Sequence, residues 1–309
     1  MISGVATTDT LDAILGGAGI YALSGLGVWT GSAVLVTGVG GDFLENHGEW
    51  FARNRLSTQG LLPRCGPTPV TTVRYQTDES RMETPRFGWE HYEKMEATPE
   101  EILSFVDRET KGVYVFQKIP DGYWEPLLAA KKKLDFALEW EINGDVATPA
   151  WGSRVRQIAE QCDVFSLNLK EAGCLLSLTE LSSILAELTR WRVPLIYLRL
   201  GSHGAALIRD GTYIRVPSVH NVKVVDPTGA GNASSAAVLY GYCNQESDLA
   251  CGRMAAFSAA RCISQYGPPE NLRDGEKGQN TLNIVSVNVS PCGICCPYCG
   301  KRVNTNGWG

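Results

Sequence analysis

The chain has 309 residues, of which 44% are hydrophobic and 20% charged, with a formal net charge of -5. These are ordinary values for a folded protein of one large domain or two small ones. They offer no basic footprint for nucleic acid or an anionic membrane, and no run approaches the roughly 18 apolar residues of a membrane span. Met1-Ile2-Ser3-Gly4-Val5 lacks a basic start, and Asp9 and Asp12 interrupt any apolar leader, so no signal peptide is expected. Six scattered cysteines (Cys65, Cys162, Cys174, Cys243, Cys251, Cys262) read as reduced, mostly buried thiols of a cytoplasmic protein.

In chain order, Ile2 to Thr8 predicts a short first strand. Gly16-Gly17-Ala18-Gly19 then opens a small-residue helix, Ile20 to Leu26. Ala33-Val34-Leu35-Val36-Thr37 has the pattern of a strand buried on both faces. Gly38-Val39-Gly40-Gly41-Asp42 ends it, before a helix from Phe43 to Asn54. Residues 68–92 alternate around a polar turn and read as a hairpin-like lid. Strands are then predicted at 112–116, 136–140, 164–167 and 195–200. Helices alternate with them at 124–133, 152–161, 170–176 and 178–191. That alternation argues for a mostly parallel sheet covered on both faces. Residues 205–208 and 213–216 suit a short antiparallel pair, and helices follow at 230–242 and 247–266.

The most informative stretch is Asp226-Pro227-Thr228-Gly229-Ala230-Gly231-Asn232, set between the strand-like Val222 to Val225 and a helix of small residues. Gly229, Ala230 and Gly231 allow successive N–H groups to converge on one spot. The helix adds its unpaired N–H groups and positive dipole end, a site for phosphate. The bland alternative is a tight turn. Asn168 and Glu171 have the spacing of a helix cap, and their oxygens also suit the water-rich shell of Mg²⁺. The four histidines (His47, His91, His203, His220) show no metal spacing and receive no role.

These motifs resemble those of the pfkB family of carbohydrate and nucleoside kinases. Asp226 to Val238 is similar to the family's C-terminal signature, Gly38 to Asp42 to its N-terminal Gly-Gly-Asp stretch, and Gly16 to Gly19 to its earlier diglycine. Asn168-Leu169-Lys170-Glu171 matches its Asn-x-x-Glu, and Leu200 to Gly204 its Leu-Gly-x-x-Gly. The Asp-Pro-Thr-Gly-Ala-Gly-Asn form looks most like a fungal branch of the family. The resemblance implies a ribokinase-like α/β three-layer sandwich with a mostly parallel central sheet and a small β lid. It would form one domain over 1–280, followed by an irregular tail, 281–309.

By the same resemblance the cofactors are ATP and Mg²⁺, and the partner is a small sugar-like or nucleoside-like substrate. Asn168 and Glu171 would serve the magnesium and phosphate region, and Arg199, Gly201 and Gly204 the nucleotide. Asp9, Gly16, Gly17, Gly41 and Asp42 would border the substrate. Oligomeric state is left open, with a homodimer through the lid as one arrangement. Asn232 departs from the family pattern, in which an aspartate at this position takes the proton of the attacking hydroxyl. An amide cannot, although Asp226 stands close by as another carboxylate. Three functions follow from this departure: a slow kinase, a pseudokinase that binds nucleotide or a phosphorylated ligand, or a tailoring enzyme that reuses the cleft. In the tail, Cys296-Pro297-Tyr298-Cys299-Gly300-Lys301 resembles half of a zinc-ribbon knuckle, for which Cys292 and Cys295 would have to be the second half. Four thiolates crowded into eight residues argue against one shared zinc.

Overall fold

The computed structural model describes residues 14–75 and 81–273. The predicted strand at Ile2 to Thr8, Asp9 and the cysteine-rich tail lie outside these residues.

The N-terminal part contains α1 (Ala18–Gly27), β1 (Thr37–Val39), α2 (Phe43–Asn54), β2 (Leu61–Pro63), β3 (Thr71–Tyr75), β4 (Arg81–Pro85), α3 (Trp89–Glu93) and α4 (Pro99–Leu103). The remainder alternates: β5 (Gly112–Gln117), α5 (Trp124–Leu134), β6 (Ala137–Ile142), α6 (Gly152–Ala159), β7 (Val164–Asn168), α7 (Leu169–Leu176), α8 (Leu181–Leu188) and β8 (Leu195–Arg199). It closes with β9 (Ala205–Arg209), β10 (Thr212–Val216), α9 (Ala230–Cys243) and α10 (Asp248–Ile263).

The main sheet has the order β10-β9-β8-β7-β6-β5. β5 to β8 are parallel, and β9 and β10 are antiparallel additions. One face packs on α5 to α8 through Leu138, Trp140, Phe165, Leu167 and Leu198. The other packs on α9 and α10 through Val164, Leu195, Tyr197, Val238 and Ala255. This is the three-layer α/β sandwich that the alternating pattern predicts, because a parallel sheet must bury both faces. β3 and β4 pair antiparallel as a separate hairpin, at the position of the expected lid.

Local chemistry sets the element ends. Thr98 and Glu101 form a reciprocal capping box at α4, behind Pro99. Ser247 caps α10 by accepting from the Ala250 N–H. Ser177, left-handed at φ 55°, ends α7. That turn also delays the next helix to Leu181, so the predicted span from Leu178 is too long.

Two other expectations need correction. The run from Ala33 to Thr37 is not a doubly buried strand: only a lone bridge joins Val34 to Ser57, Val34 is 46% exposed, and pairing begins at Thr37. Val222 to Val225 is not a strand either. Val225 and Asp226 N–H instead donate to the Ile263 carbonyl at 2.7 and 3.3 Å, hanging the segment on the end of α10. Among the six thiols, Cys162, Cys251 and Cys262 are buried, but Cys65 and Cys174 are exposed. No helix among the described residues is long and apolar enough to cross a membrane.

An aromatic ladder crosses the first core: Trp124 to Trp140 at 4.7 Å between ring centroids, Trp140 to Phe165 at 5.2 Å, and Phe165 to Trp191 at 5.8 Å. Trp140 is fully buried, and its Nε1–H donates to the Gln117 carbonyl at 2.9 Å. Trp140→Ala is expected to lower unfolding free energy by roughly 3–5 kcal/mol. Urea unfolding followed by circular dichroism measures this, and a loss below about 1 kcal/mol would contradict the ladder's central place in the core.

Candidate phosphate-binding site

The turn before α9 is held on three sides. Asp226 Oδ1 accepts from the Thr228 N–H at 2.9 Å and Thr228 Oγ1 at 2.6 Å, folding the chain back on itself. Gly229 is left-handed at φ 79°, and a Cβ there would overlap the Tyr21 ring of α1. A Cβ at Gly25 of α1 would overlap the Ala233 carbonyl of α9. Glycine at 25 and 229 therefore lets α1 press on the start of α9 and fix the turn. Gly231 and Asn232 fall in the helix's first turn, where N–H groups have no intrahelical carbonyl to serve. This start of α9 lies beside side chains from the last residues of β6, β7 and β8.

Those strand ends supply a polar network. Glu141 of β6 is 3% exposed in its side chain. Its Oε1 accepts from Arg199 Nη1 at 2.6 Å and from Asn232 Nδ2 at 3.1 Å; its Oε2 accepts from Tyr114 Oη at 2.7 Å. Asn232 Nδ2 also donates to Tyr114 Oη at 3.1 Å. The donations form a consistent chain, since Tyr114 passes its own proton to Glu141 and accepts from the amide. Arg199 Nη2 reaches Glu171 Oε2 at 3.4 Å. Burial works against the charge of Arg199, but Glu141 and Glu171 more than offset it, so its pKa is raised above the usual value. Burial first, and Glu141 second, push the Tyr114 phenol well above its ordinary range, keeping it a neutral donor.

Sheet register explains the assembly. Tyr114 lies opposite Glu139, Glu141 opposite Ser166, Ser166 opposite Tyr197, and Asn168 opposite Arg199. All lie on the α9 face, where Ser166 and Ser235 hydroxyls meet at 2.7 Å. Tyr21, Tyr114, Glu139 and Glu141 are absent from the sequence-based site. The usable signal was Glu139 and Glu141 two apart in an apolar strand, since a two-residue spacing puts both on one buried face.

The other expected site residues are placed as follows. Asn168 and Glu171 make a capping box: Asn168 N–H donates to Glu171 Oε2 at 2.7 Å, and Glu171 N–H to Asn168 Oδ1 at 2.9 Å. Gly201 borders a cleft of about 660 Å³ with Asn168, Lys170, Cys174, Thr179 and Arg199. Gly204 does not border that cleft. At φ 82° it closes the turn after β8, accepting from the Leu200 N–H at 2.8 Å, and a Cβ there would overlap Val216. Gly16 lies against Tyr21, and Gly17 caps α1 at φ 100°. Gly41 has open space around its Cα. Asp42 Oδ1 accepts from the N–H and the hydroxyl of Thr68, both at 2.7 Å, which ties it to the chain entering the hairpin. The Thr68 hydroxyl and then its N–H hold the Asp42 pKa below the usual value.

The donor set does not fit the expected Mg²⁺. That ion wants several oxygen ligands and keeps waters among them. Here Glu171 is engaged by the Asn168 N–H and Arg199, while Glu141 accepts from Arg199, Tyr114 and Asn232. A fixed guanidinium stands between the two carboxylates. Among the described residues no group of three or more His, Cys, Asp or Glu side chains is arranged to hold a metal.

An open α/β sheet with a glycine-flanked helix start beyond the carboxyl ends of its parallel strands defines a phosphate- or nucleotide-binding class. The pfkB family carbohydrate kinase pattern matches residues 4–274, and the chain belongs to that family. It is 40% identical over 80 residues to an uncharacterized sugar kinase of Archaeoglobus fulgidus, covering 26% of this chain and 32% of that protein. It is 28% identical over 191 residues to a ribokinase of Arabidopsis thaliana, covering 58% of this chain and 48% of that protein. The chain thus spans less than half the length of each of these relatives. Its fold is similar to that of Arabidopsis thaliana ribokinase complexed with ribose and ATP (TM-score 0.67, 24% identity, 88% of each chain). It is also similar to Burkholderia thailandensis nucleoside kinase in complex with inosine (TM-score 0.63, 20% identity, 82% of this chain and 79% of that one). These likenesses show a ribokinase-like fold.

Glu139 lies deeper under the same network, fully buried. Neither carboxyl oxygen has a hydrogen-bond partner at good geometry, and the Arg199 charge and the Leu239 backbone, which pull the other way, do not offset burial. Burial first, and the Glu141 charge second, raise its pKa well above 4.5. An acid raised on folding costs nothing below its unfolded pKa and costs progressively more as pH climbs toward the folded value. The stability of Glu139→Gln relative to the parent is therefore expected to rise with pH from about 4.5 upward. Urea midpoints across that range test this, and a pH-independent difference would show that Glu139 titrates as an ordinary carboxyl.

Proposed function

We propose that the chain is an ATP-dependent phosphotransferase acting on a hydroxyl of a sugar-like or nucleoside-like small molecule, with transfer slowed at the base position. Family membership and the turn at Gly229, Ala230 and Gly231 support phosphate binding. The ribose, ATP and inosine carried by relatives of the same fold support the substrate class. Asp42 and the loop around Gly41 are the proposed substrate border. Arg199 and Gly201 would meet the nucleotide from the neighbouring cleft.

The observation that carries the slow rate is the state of Asn232. Its amide donates to Glu141 and Tyr114 and offers no basic oxygen for a substrate proton. Loss of a general base costs about 10²- to 10⁴-fold, while positioning and charge neutralisation remain available to phosphoryl transfer. Asp226 Oδ1 accepts from the N–H and the hydroxyl of Thr228, which ties that carboxylate into the turn. Glu141 is near but accepts from three donors. A binding-only role is the second reading, favoured by the Arg199–Glu141 pair packed against Gly231.

The network alters what restoring the base requires. Asn232→Asp alone would put a second carboxylate about 3 Å from Glu141, and two such groups cannot both ionise freely. ADP release with a panel of sugars and nucleosides is expected to change less than about tenfold in Asn232→Asp. It is expected to rise by about 10²-fold or more in Asn232→Asp combined with Glu141→Gln. Equal gains in both variants would contradict this role for Glu141; no turnover in any variant would favour the binding-only reading.

A further inference from the structure

We propose that Arg199 is a built-in cation that takes the place of a divalent metal, so that phosphate binding at this site needs no Mg²⁺. This rests on the phosphate-binding reading above and adds which charge serves it.

The geometry is that of a substitution. Arg199 ends β8, opposite Asn168 in register, and its guanidinium bridges Glu141 and Glu171 at 2.6 and 3.4 Å. Glu141 comes from the end of β6 and Glu171 from the first turn of α7, and both converge on the guanidinium, the arrangement a hard cation would need. The guanidinium also lies against Gly231, where any Cβ would overlap it. The positive charge therefore sits at the anion-binding turn itself. Its Nε is buried with no hydrogen-bond partner, so one donor of the fork is unspent. Arginine supplies a planar set of donors that matches phosphate oxygens and stays charged at any working pH. Asn232 fits the same account. A carboxylate there would compete with Glu141 for Arg199, whereas the amide donates to Glu141 and leaves the guanidinium its partners.

The charge ledger agrees. Two carboxylates facing a phosphate would repel it unless a cation neutralised them. Arg199 supplies that charge permanently, and its two ion pairs leave neither carboxylate available to recruit a metal.

The test measures ADP binding by calorimetry in Mg²⁺ buffer and in EDTA, and Mn²⁺ binding by electron paramagnetic resonance without nucleotide. For the parent protein, the Kd for ADP should agree within about twofold between the two buffers. Arg199→Ser should bind ADP about tenfold or more weakly in EDTA, recover with Mg²⁺, and gain a saturable Mn²⁺ site that a further Glu171→Gln removes. Arg199→Lys should keep metal-independent binding. A parent protein whose ADP affinity falls about tenfold in EDTA, or which holds stoichiometric Mn²⁺ through Glu171, overturns the inference. Should ADP bind in neither buffer, the phosphate-binding reading fails by itself, and the Mn²⁺ measurement still decides whether Arg199 excludes a metal. If Arg199→Ser does not fold, the parent's buffer comparison and Arg199→Lys carry the test.

Discussion

The buried ion pair between Arg199 and Glu141 is the constraint on which the rest of the site depends. Two charges taken out of water repay their desolvation only when each also finds further hydrogen bonds. Glu141 finds them in Tyr114 and Asn232, and Arg199 finds a second carboxylate in Glu171. The pair thus recruits β5, β6, β8, α7 and α9 at one point. Removing any member leaves a charge or a polar atom stranded under the helix.

Close packing makes that convergence attainable. α9 is rich in Gly, Ala and Ser along its first turns, and Ser234 and Ser235 return their hydroxyls to the Gly231 carbonyl. Without bulky side chains the helix settles onto the polar stripe of the sheet, while Gly25 admits it against α1. The same closeness brings Gly231 against the Arg199 guanidinium. Small residues here are a distance device, and the electrostatics of the turn follow from the distance they permit.

The layers and the order of elements were legible because period and punctuation are local. Alternating strands and helices from Gly112 onward, and the small-residue helix after Gly229, match the observed elements closely. The failures share a cause. Ala33 to Thr37 looks like a buried strand by composition, yet its pairing depends on what lies alongside, and only Thr37 to Val39 find a partner. Val222 to Val225 is apolar and extended in pattern, but its donors go to the end of a helix 38 residues later (Val225 to Ile263). In the site, Asn168 and Glu171 were readable because their interaction spans one helical turn. Glu141 and Tyr114 were not, because only the register of β5 on β6 and the approach of α9 bring them to Asn232. Arg199 was readable only as a residue near the nucleotide by resemblance, because the two carboxylates it joins come together only in the fold.

What makes the site stable also limits it as a base. A carboxylate that accepts from a guanidinium, a phenol and an amide has its lone pairs occupied, and taking a proton would break at least one of those bonds inside a low-dielectric space. Under the proposed reading, Glu141 therefore does not stand in for a base at position 232. The charge that the proposal assigns to phosphate binding stays beside the turn, because the Arg199 guanidinium lies against Gly231. On that proposal, binding and proton transfer fall to different residues, and the buried network of Arg199, Glu141, Tyr114 and Asn232 serves binding alone.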